Sequence, residues 1–533
     1  MIHARIKLII VFGACLLTFT LLVRAAGQAP ESGQLTPQQK RGKEIYLRGT
    51  SPSGKEVMAF LGGSGVEVPA TAMPCANCHG LAGQGKPEGG VTPSNITWEA
   101  LTKSYGVTHP DGRKHPPYTD RAMELAITRG HDPGGNKFSS AMPTYDMPRE
   151  DLADLVAYLR VLGTDLDPGL GDTQIRVGTV VPVEGPSAEV GQAMRAVLAA
   201  YFDEINNQGG VYNRKIELRV AEVRNSPAAA VAGFQRLVKE EHVFALAGAF
   251  TANSESATES LVEKEEVPLV GPFTLFPRVG FPVNRQVFYL LSGLTEQSRA
   301  MINFAAKKFE GPQRVAVVYP DLDLFAPVIP ALDDQCQKAG YKPLAGFKYT
   351  RGRLDAVAVA KDLKAIAADI VFLFSSGDET VSLMRETEKL MSPPKFFLPG
   401  SLVGSELFTA PPASLARVYI SFPTLPADQT PEGVTEYREL AAKHKLPTHH
   451  LAAQINAFCA AKVLVEAMKH AGKELSREKL ISALESLYDY DTGLMPRVTF
   501  GLNRRIGALG AYVVMIDPEK KQFVQASEWI PLN

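Results

Sequence analysis

Only 5 of the 533 residues are cysteine, too few for a disulfide-stapled scaffold, so a chain of this length must be held together by hydrophobic cores. Tryptophan is scarcer still, at 2 residues. An excess of either charge is also missing: 56 Lys and Arg stand against 57 Asp and Glu, a formal net charge of −1. Without a concentrated basic face, neither nucleic acid nor a membrane surface is an expected partner. There is no run of like charges, no low-complexity tract and no short-period repeat. The commonest signatures of nucleotide, serine-nucleophile and zinc-hydrolase chemistry are absent as well: no phosphate-binding glycine loop, no Gly-x-Ser-x-Gly elbow, no His-Glu-x-x-His helix. What remains is ordinary globular material, 45% hydrophobic and 21% charged, long enough for about two to four domains.

The first residues follow a recognisable order. Arg5 and Lys7 precede an apolar run from Leu8 to Val23, and small residues follow at Ala25 and Ala26. Basic, then apolar, then small is the order of a secretory signal, here residues 1–25 with cleavage after Ala25. The run is shorter than the ~20 residues a spanning helix usually needs, which leaves an uncleaved anchor as the alternative. Cys15 would leave with the signal. Cys336 and Cys459 read as two buried small hydrophobes rather than a bridge. A polar Pro/Gly segment, Asp165–Asp172, marks the best boundary. It divides the mature chain into 36–165, a linker at 166–173, and 174–533.

Cys75-Ala76-Asn77-Cys78-His79 has the spacing for covalent attachment of a c-type haem. Two thiols on one turn add to the porphyrin vinyl groups, and the next imidazole becomes the proximal iron ligand. Downstream, Met142 precedes Pro143, and the proline holds its predecessor extended, aiming a thioether inward from a loop. A helix pattern follows, opening at Pro148 with apolar positions 152, 155, 156, 159 and 162. Another helix is expected over 38–46, where Gly42 permits a close crossing. In this order the features resemble the class I cytochrome c family. The resemblance implies an all-α domain with one covalent haem c, Cys75 and Cys78 as attachment points, and His79 and Met142 as metal ligands. It also implies electron transfer without bond-making chemistry. Met123, Met147, His109, His115 and His131 stay open as other ligands; the histidines lie in polar Pro/Gly-rich loops and are expected to be solvated. The stretch between Tyr46 and Cys75 is longer than the family's usual connection and predicts an added loop or hairpin beside the haem edge.

Beyond the boundary, strand-like and helix-like patterns alternate, as in parallel α/β domains. Four elements carry a second resemblance: the opening strand Ile175–Pro182, the turn Ile205-Asn206-Asn207-Gln208-Gly209-Gly210-Val211, and the runs Val243–Gly248 and Val267–Pro272. Together they resemble the type I periplasmic binding proteins of the branched-chain amino-acid and amide branch. That implies α/β architecture, two doubly wound lobes joined by three hinge crossings, a solute in the cleft, and a periplasmic location. Loops after strands are where such folds hold ligands, so Asn253, Ser254, Phe273 and Thr274 are candidate contacts from one lobe. Phe325 and Ser376 are candidates from the other. Helix capping is the competing reading for each of the polar ones. Gly400 and Ser401 stand where the family's amino-acid binders place an acid, and Phe325 where a tyrosine is usual; an α-amino-acid solute is therefore not expected. His449-His450 lacks partner ligands at suitable spacing in sequence and reads as a helix start.

The reading that combines both halves is a solute-binding module coupled to electron transfer, serving a periplasmic redox partner. The alternative is a receptor for an ABC permease with an accessory haem. An enzyme is the least favoured, since a di-haem peroxidase would need a second attachment motif and only one exists.

Overall fold

The computed structural model describes residues 35–62, 66–80, 82–85, 93–109, 112–224, 226–251, 253–280, 282–342, 344–390 and 393–532; the expected signal segment, 1–25, lies outside them. The chain divides into two compact units at Pro168–Gly169.

In the first unit the elements run Pro37–Arg48 (α1), Met58–Leu61 (β1), Val66–Pro69 (β2), Cys75–His79 (α2), Trp98–Leu101 (α3) and Val107–Thr108 (β3). Lys114–His115 (β4), Asp120–Arg129 (α4), Thr144–Asp146 (β5) and Arg149–Leu159 (α5) follow. Thr36 starts α1 with a capping box, its hydroxyl accepting from Gln39 N while Gln39 Oε1 accepts from Thr36 N. Gly49 ends the helix at φ 65°. α1 crosses α5 at Gly42, where a Cβ would lie 2.0 Å from the Asp154 carbonyl oxygen. The crossing is clamped by Arg41, which donates to both Asp154 oxygens at 2.6 and 2.9 Å. Ile45, Tyr46, Leu155, Tyr158 and Leu159 fill the interface.

This unit is not all-α, contrary to the expectation. The long stretch before Cys75 forms the β1–β2 hairpin, and β5 adds to it as a three-stranded antiparallel sheet in the order β2-β1-β5. The alternating Val66-Glu67-Val68 and Met58-Ala59-Phe60 positions suit strands. The segment after the Met-Pro step supplies the third strand because Thr144-Tyr145-Asp146 is held extended beside it.

The second unit begins with a βαβ succession. Its first lobe comprises Gln174–Pro182 (β6), Ala188–Asn207 (α6), Lys215–Val223 (β7), Pro227–Gln235 (α7), Ala245–Ala247 (β8), Glu255–Lys264 (α8), Leu269–Val270 (β9) and Val287–Leu291 (β10). The second lobe runs Leu294–Lys308 (α9), Val315–Pro320 (β11), Val328–Lys338 (α10), Ala345–Tyr349 (β12), Ala356–Ala365 (α11) and Ile370–Leu373 (β13). Gly377–Leu390 (α12), Lys395–Pro399 (β14), Pro412–Leu415 (α13) and Val418–Phe422 (β15) complete that run. The chain then returns to the first lobe with Pro431–His444 (α14), Leu451–Ala471 (α15), Arg477–Glu485 (α16) and Ile506–Ala508 (β16). It ends in the second with Gly510–Asp517 (β17), Gln522–Gln525 (β18) and Ile530–Pro531 (β19).

The first sheet has the order β16-β10-β9-β8-β6-β7, and the other β12-β11-β13-β14-β15-β17-β18 with β19 beside β17. Strands such as β11 and β13 are buried along their whole length, as parallel strands covered on both faces must be. The chain passes between lobes after β10, after β15 and after β16. Ser292 ties two of these crossings, its hydroxyl donating to Ala508 O at 3.1 Å and accepting from Gly510 N at 2.9 Å. α15 is long and apolar enough to span a membrane, yet 72% of its most apolar window is buried; it is the core helix of the first lobe. Cys336 and Cys459 are both buried free thiols.

Candidate functional site

In the first unit α2 places Cys75, Cys78 and His79 at i, i+3 and i+4 of one turn, and such positions share a helix face. All three line a cavity of about 220 Å³, whose apolar wall includes Ile96, Leu101, Ile127 and Leu159. Tyr46 of α1 donates to Gly80 O at 2.6 Å, pinning the chain just past the motif. His79 is buried, and its Nδ1 lies 3.0 Å from Ser94 O. A carbonyl only accepts, so Nδ1 carries the proton and Nε2 keeps its lone pair. Burial lowers the imidazole's basicity, with the hydrogen bond to Ser94 O acting in the opposite direction. Burial also pushes the Cys75 thiol up to about 12. Two thiols on one turn, a neutral imidazole oriented by a carbonyl, and an apolar cavity fit a covalently attached haem.

Met142 lines the same cavity, on a turn closed by Met142 N to Ser139 O at 3.0 Å. Met123 lines it too, from α4, whereas Met147 packs against the core. The loop histidines differ from the expectation of solvation. His115 is 5% exposed, and with His109 it forms part of the cavity wall; only His131 is exposed. The two rings face each other, Nε2 to Nε2, at 3.0 Å. Their tautomers follow from the neighbours. His115 Nδ1 donates to Pro116 O at 2.8 Å, so its Nε2 accepts from His109, whose Nδ1 faces Ser94 Oγ at 3.4 Å. Ser94 thereby joins this imidazole pair to His79. The β3–β4 ribbon, which brings Val107 opposite His115, is what tethers the pair. The sequence spacing of the two histidines carried no signal of it.

In the second unit the loops after β8 and β9 lie side by side, with Phe250 paired to Phe273 in a parallel bridge. Asn253 is exposed at φ 63°. Ser254 is buried, its hydroxyl donating to Thr251 O at 2.5 Å and sharing a 3.0 Å bond with Thr258. Thr274 donates to Glu255 Oε1 at 2.6 Å, and Thr251 donates to the same oxygen at 2.7 Å. Thr251 and Glu255 were not among the sequence candidates; an acid in the first turn is common at a helix start, and only the adjacency of β8 and β9 brings Thr274 to it. From the other lobe, Phe325 is not a surface contact. It is 5% exposed, packed edge-on to Phe276 of the first lobe at 5.9 Å and against Phe374 at 5.3 Å. Ser376 is exposed and bonds Glu379 Oε2 at 3.0 Å, a capping arrangement. His449-His450 does precede a helix, α15, but it also has a partner from far away in sequence. Glu189 of α6 approaches His450 at 3.2 Å, and the three exposed groups can bring ligand atoms within 4.8 Å of one another.

The family model for periplasmic binding proteins matches residues 174–522. The chain belongs to the periplasmic binding protein family. A second model, for cytochrome c, matches residues 68–163, so this family member carries a cytochrome c domain ahead of its binding unit. The Leu/Ile/Val-binding protein BraC3 of Rhizobium johnstonii is 23% identical over 62% of this chain and 89% of its own length. The leucine-, isoleucine-, valine-, threonine- and alanine-binding protein of Pseudomonas aeruginosa is 23% identical over 63% and 88%. Among solved structures, a branched-chain amino-acid ABC transporter protein of Thermus thermophilus with bound valine has TM-score 0.56 at 17% identity, covering 68% of this chain and 98% of its own. A fatty-acid ABC transporter substrate-binding protein from Thermomonospora curvata also has TM-score 0.56, at 19% identity and 69% and 95% coverage. These likenesses show the type I binding fold. Against that family, the glycine at position 400 has a steric reason: a Cβ there would lie 2.3 Å from the Phe422 ring. Phe422 fills the space an acidic side chain would need.

Proposed function

We propose that this protein is an exported, periplasmic mono-haem c-type cytochrome fused to a solute-binding module, in which capture of a small solute is coupled to electron transfer. Haem c would be attached through Cys75 and Cys78, with iron held by His79 and Met142; bound there, it supplies a one-electron couple. The observation that carries the reading is one chain holding both the cysteine–histidine cavity and a two-lobed binding fold with three crossings. The hinge closes the lobes on a solute, which Asn253, Phe273 and Thr274 would contact from the first lobe. A periplasmic oxidoreductase is the expected redox partner.

The test measures the haem potential with and without saturating solute. A shift must appear reciprocally as a change in solute affinity between oxidised and reduced protein. Equal potentials would remove the coupling and favour the second reading, a receptor for an ABC permease whose haem is accessory. Two of the similar solved structures are named as ABC transporter proteins, which supports that second reading.

A further inference from the structure

We propose that the crevice of the binding unit selects a solute bearing a hydrogen-bond donor, a hydroxyl or a protonated amine, and rejects carboxylates, with Glu255 as the acceptor the donor meets. This rests on the reading that the unit binds a small solute, and it names that solute's chemistry.

The two hydroxyls that the neighbouring strand-end loops offer are already engaged. Thr251 and Thr274 both donate to Glu255 Oε1, at 2.7 and 2.6 Å. Thr274 also accepts from Phe276 N at 3.0 Å, so its hydroxyl has used its donor and taken an acceptor bond. The Ser254 hydroxyl is turned inward to Thr251 O and Thr258. An incoming carboxylate therefore finds these hydroxyl donors occupied by the protein's own carboxylate, in the place where strand-end loops and a helix start would otherwise receive an anion.

Glu255 faces the other way in chemical terms. It is half-buried, and its Oε2 makes no hydrogen bond among the described residues. That leaves an anionic acceptor whose orientation is fixed by the two threonines. One turn along α8 stands Glu259, a second acid on the same helix face. Thr274 ties Glu255 to the loop after β9, and two residues further along that loop Phe276 meets Phe325 of the second lobe at 5.9 Å. On the opposite lobe the space near Gly400 is filled by Phe422, so the acid that the family's amino-acid binders place there has no room. A carboxylate approaching it would meet a like charge at short range, and a site built to accept a donor leaves its own acceptor unpaired with any solute lacking one.

The experiment uses the full-length holoprotein and three ligands on one carbon skeleton: cyclohexylmethanol, cyclohexylmethylamine and cyclohexanecarboxylate. L-valine is the fourth, and binding is read by calorimetry. The alcohol or the amine should bind at least about tenfold tighter than the carboxylate. Glu255→Gln should remove most of that preference. The amine's affinity should fall with added salt and the alcohol's should not, which separates the two donor types. Tighter binding of the carboxylate or of valine to the wild-type protein would overturn the proposal while leaving solute binding intact. So would a preference unchanged in Glu255→Gln. If none of the four binds and a broader neutral, cationic and anionic panel also fails, solute binding itself falls and the proposal with it. Should Glu255→Gln fail to fold, the wild-type order of affinities decides.

Discussion

Cys75, Cys78 and His79 share one helical turn, and that local fact carries the strongest prediction. Removing one thiol leaves a single thioether; removing both leaves none. The Cys75→Ser/Cys78→Ser double variant should show no haem-stained band on a denaturing gel, whereas either single variant should retain a weaker one. Met142 and Met123 both line the cavity, so a ligand test must separate them. Met142→Ala should lose the thioether-to-iron charge-transfer band of the oxidised protein, and Met123→Ala should keep it; the reverse result would transfer the ligand role to α4. At a single buried acid, pH provides a further test. Burial pushes the Glu259 carboxyl up to about 7, against the hydrogen bond that Tyr289 donates at 2.5 Å. The folded protein then keeps this proton over a range where the unfolded chain, near ~4.3, has lost it. The stability of the unit should fall as pH rises between roughly 4.5 and 7 and level off above, by at most about 3 kcal/mol. Glu259→Gln should flatten that part of the profile in denaturant melts at successive pH values.

Elements were legible in proportion to how local their causes are. The helix expected over 38–46 is α1, Pro37–Arg48, and the one expected to open at Pro148 is α5, where a proline start and acids in the first turn act locally. The buried strands β11 and β13 read as apolar runs for the same reason. The β1–β2–β5 sheet was less legible, since β5 is three residues long and exists by pairing with a segment far upstream. The α1–α5 crossing makes Gly42 a test at this scale. A methyl group there meets backbone at 2.0 Å, which cannot rotate away. Gly42→Ala should destabilise the first unit by about 3 kcal/mol, seen as a lower melting temperature of the haem absorbance signal.

For the whole molecule, two units with separate hydrophobic cores should unfold in two cooperative transitions in scanning calorimetry. A solute at a hundred times its dissociation constant should stabilise the second unit by about 2.7 kcal/mol. Any accompanying movement of the first transition measures the coupling between haem and solute.

What the sequence determined alone was whatever a single turn, a cap or an apolar run can specify: the attachment motif, the Met-Pro step, the alternation of strands and helices, and the order of two kinds of domain. The tertiary structure decided which distant side chains meet. It set His109 against His115 and linked them through Ser94 to His79. It joined Thr274 to Glu255, and filled the space beside Gly400 with Phe422. Each of these depends on sheet order, ribbon pairing or loop adjacency, and a hydrogen bond between residues distant in sequence forms only once the backbone has brought its partners within about 3 Å.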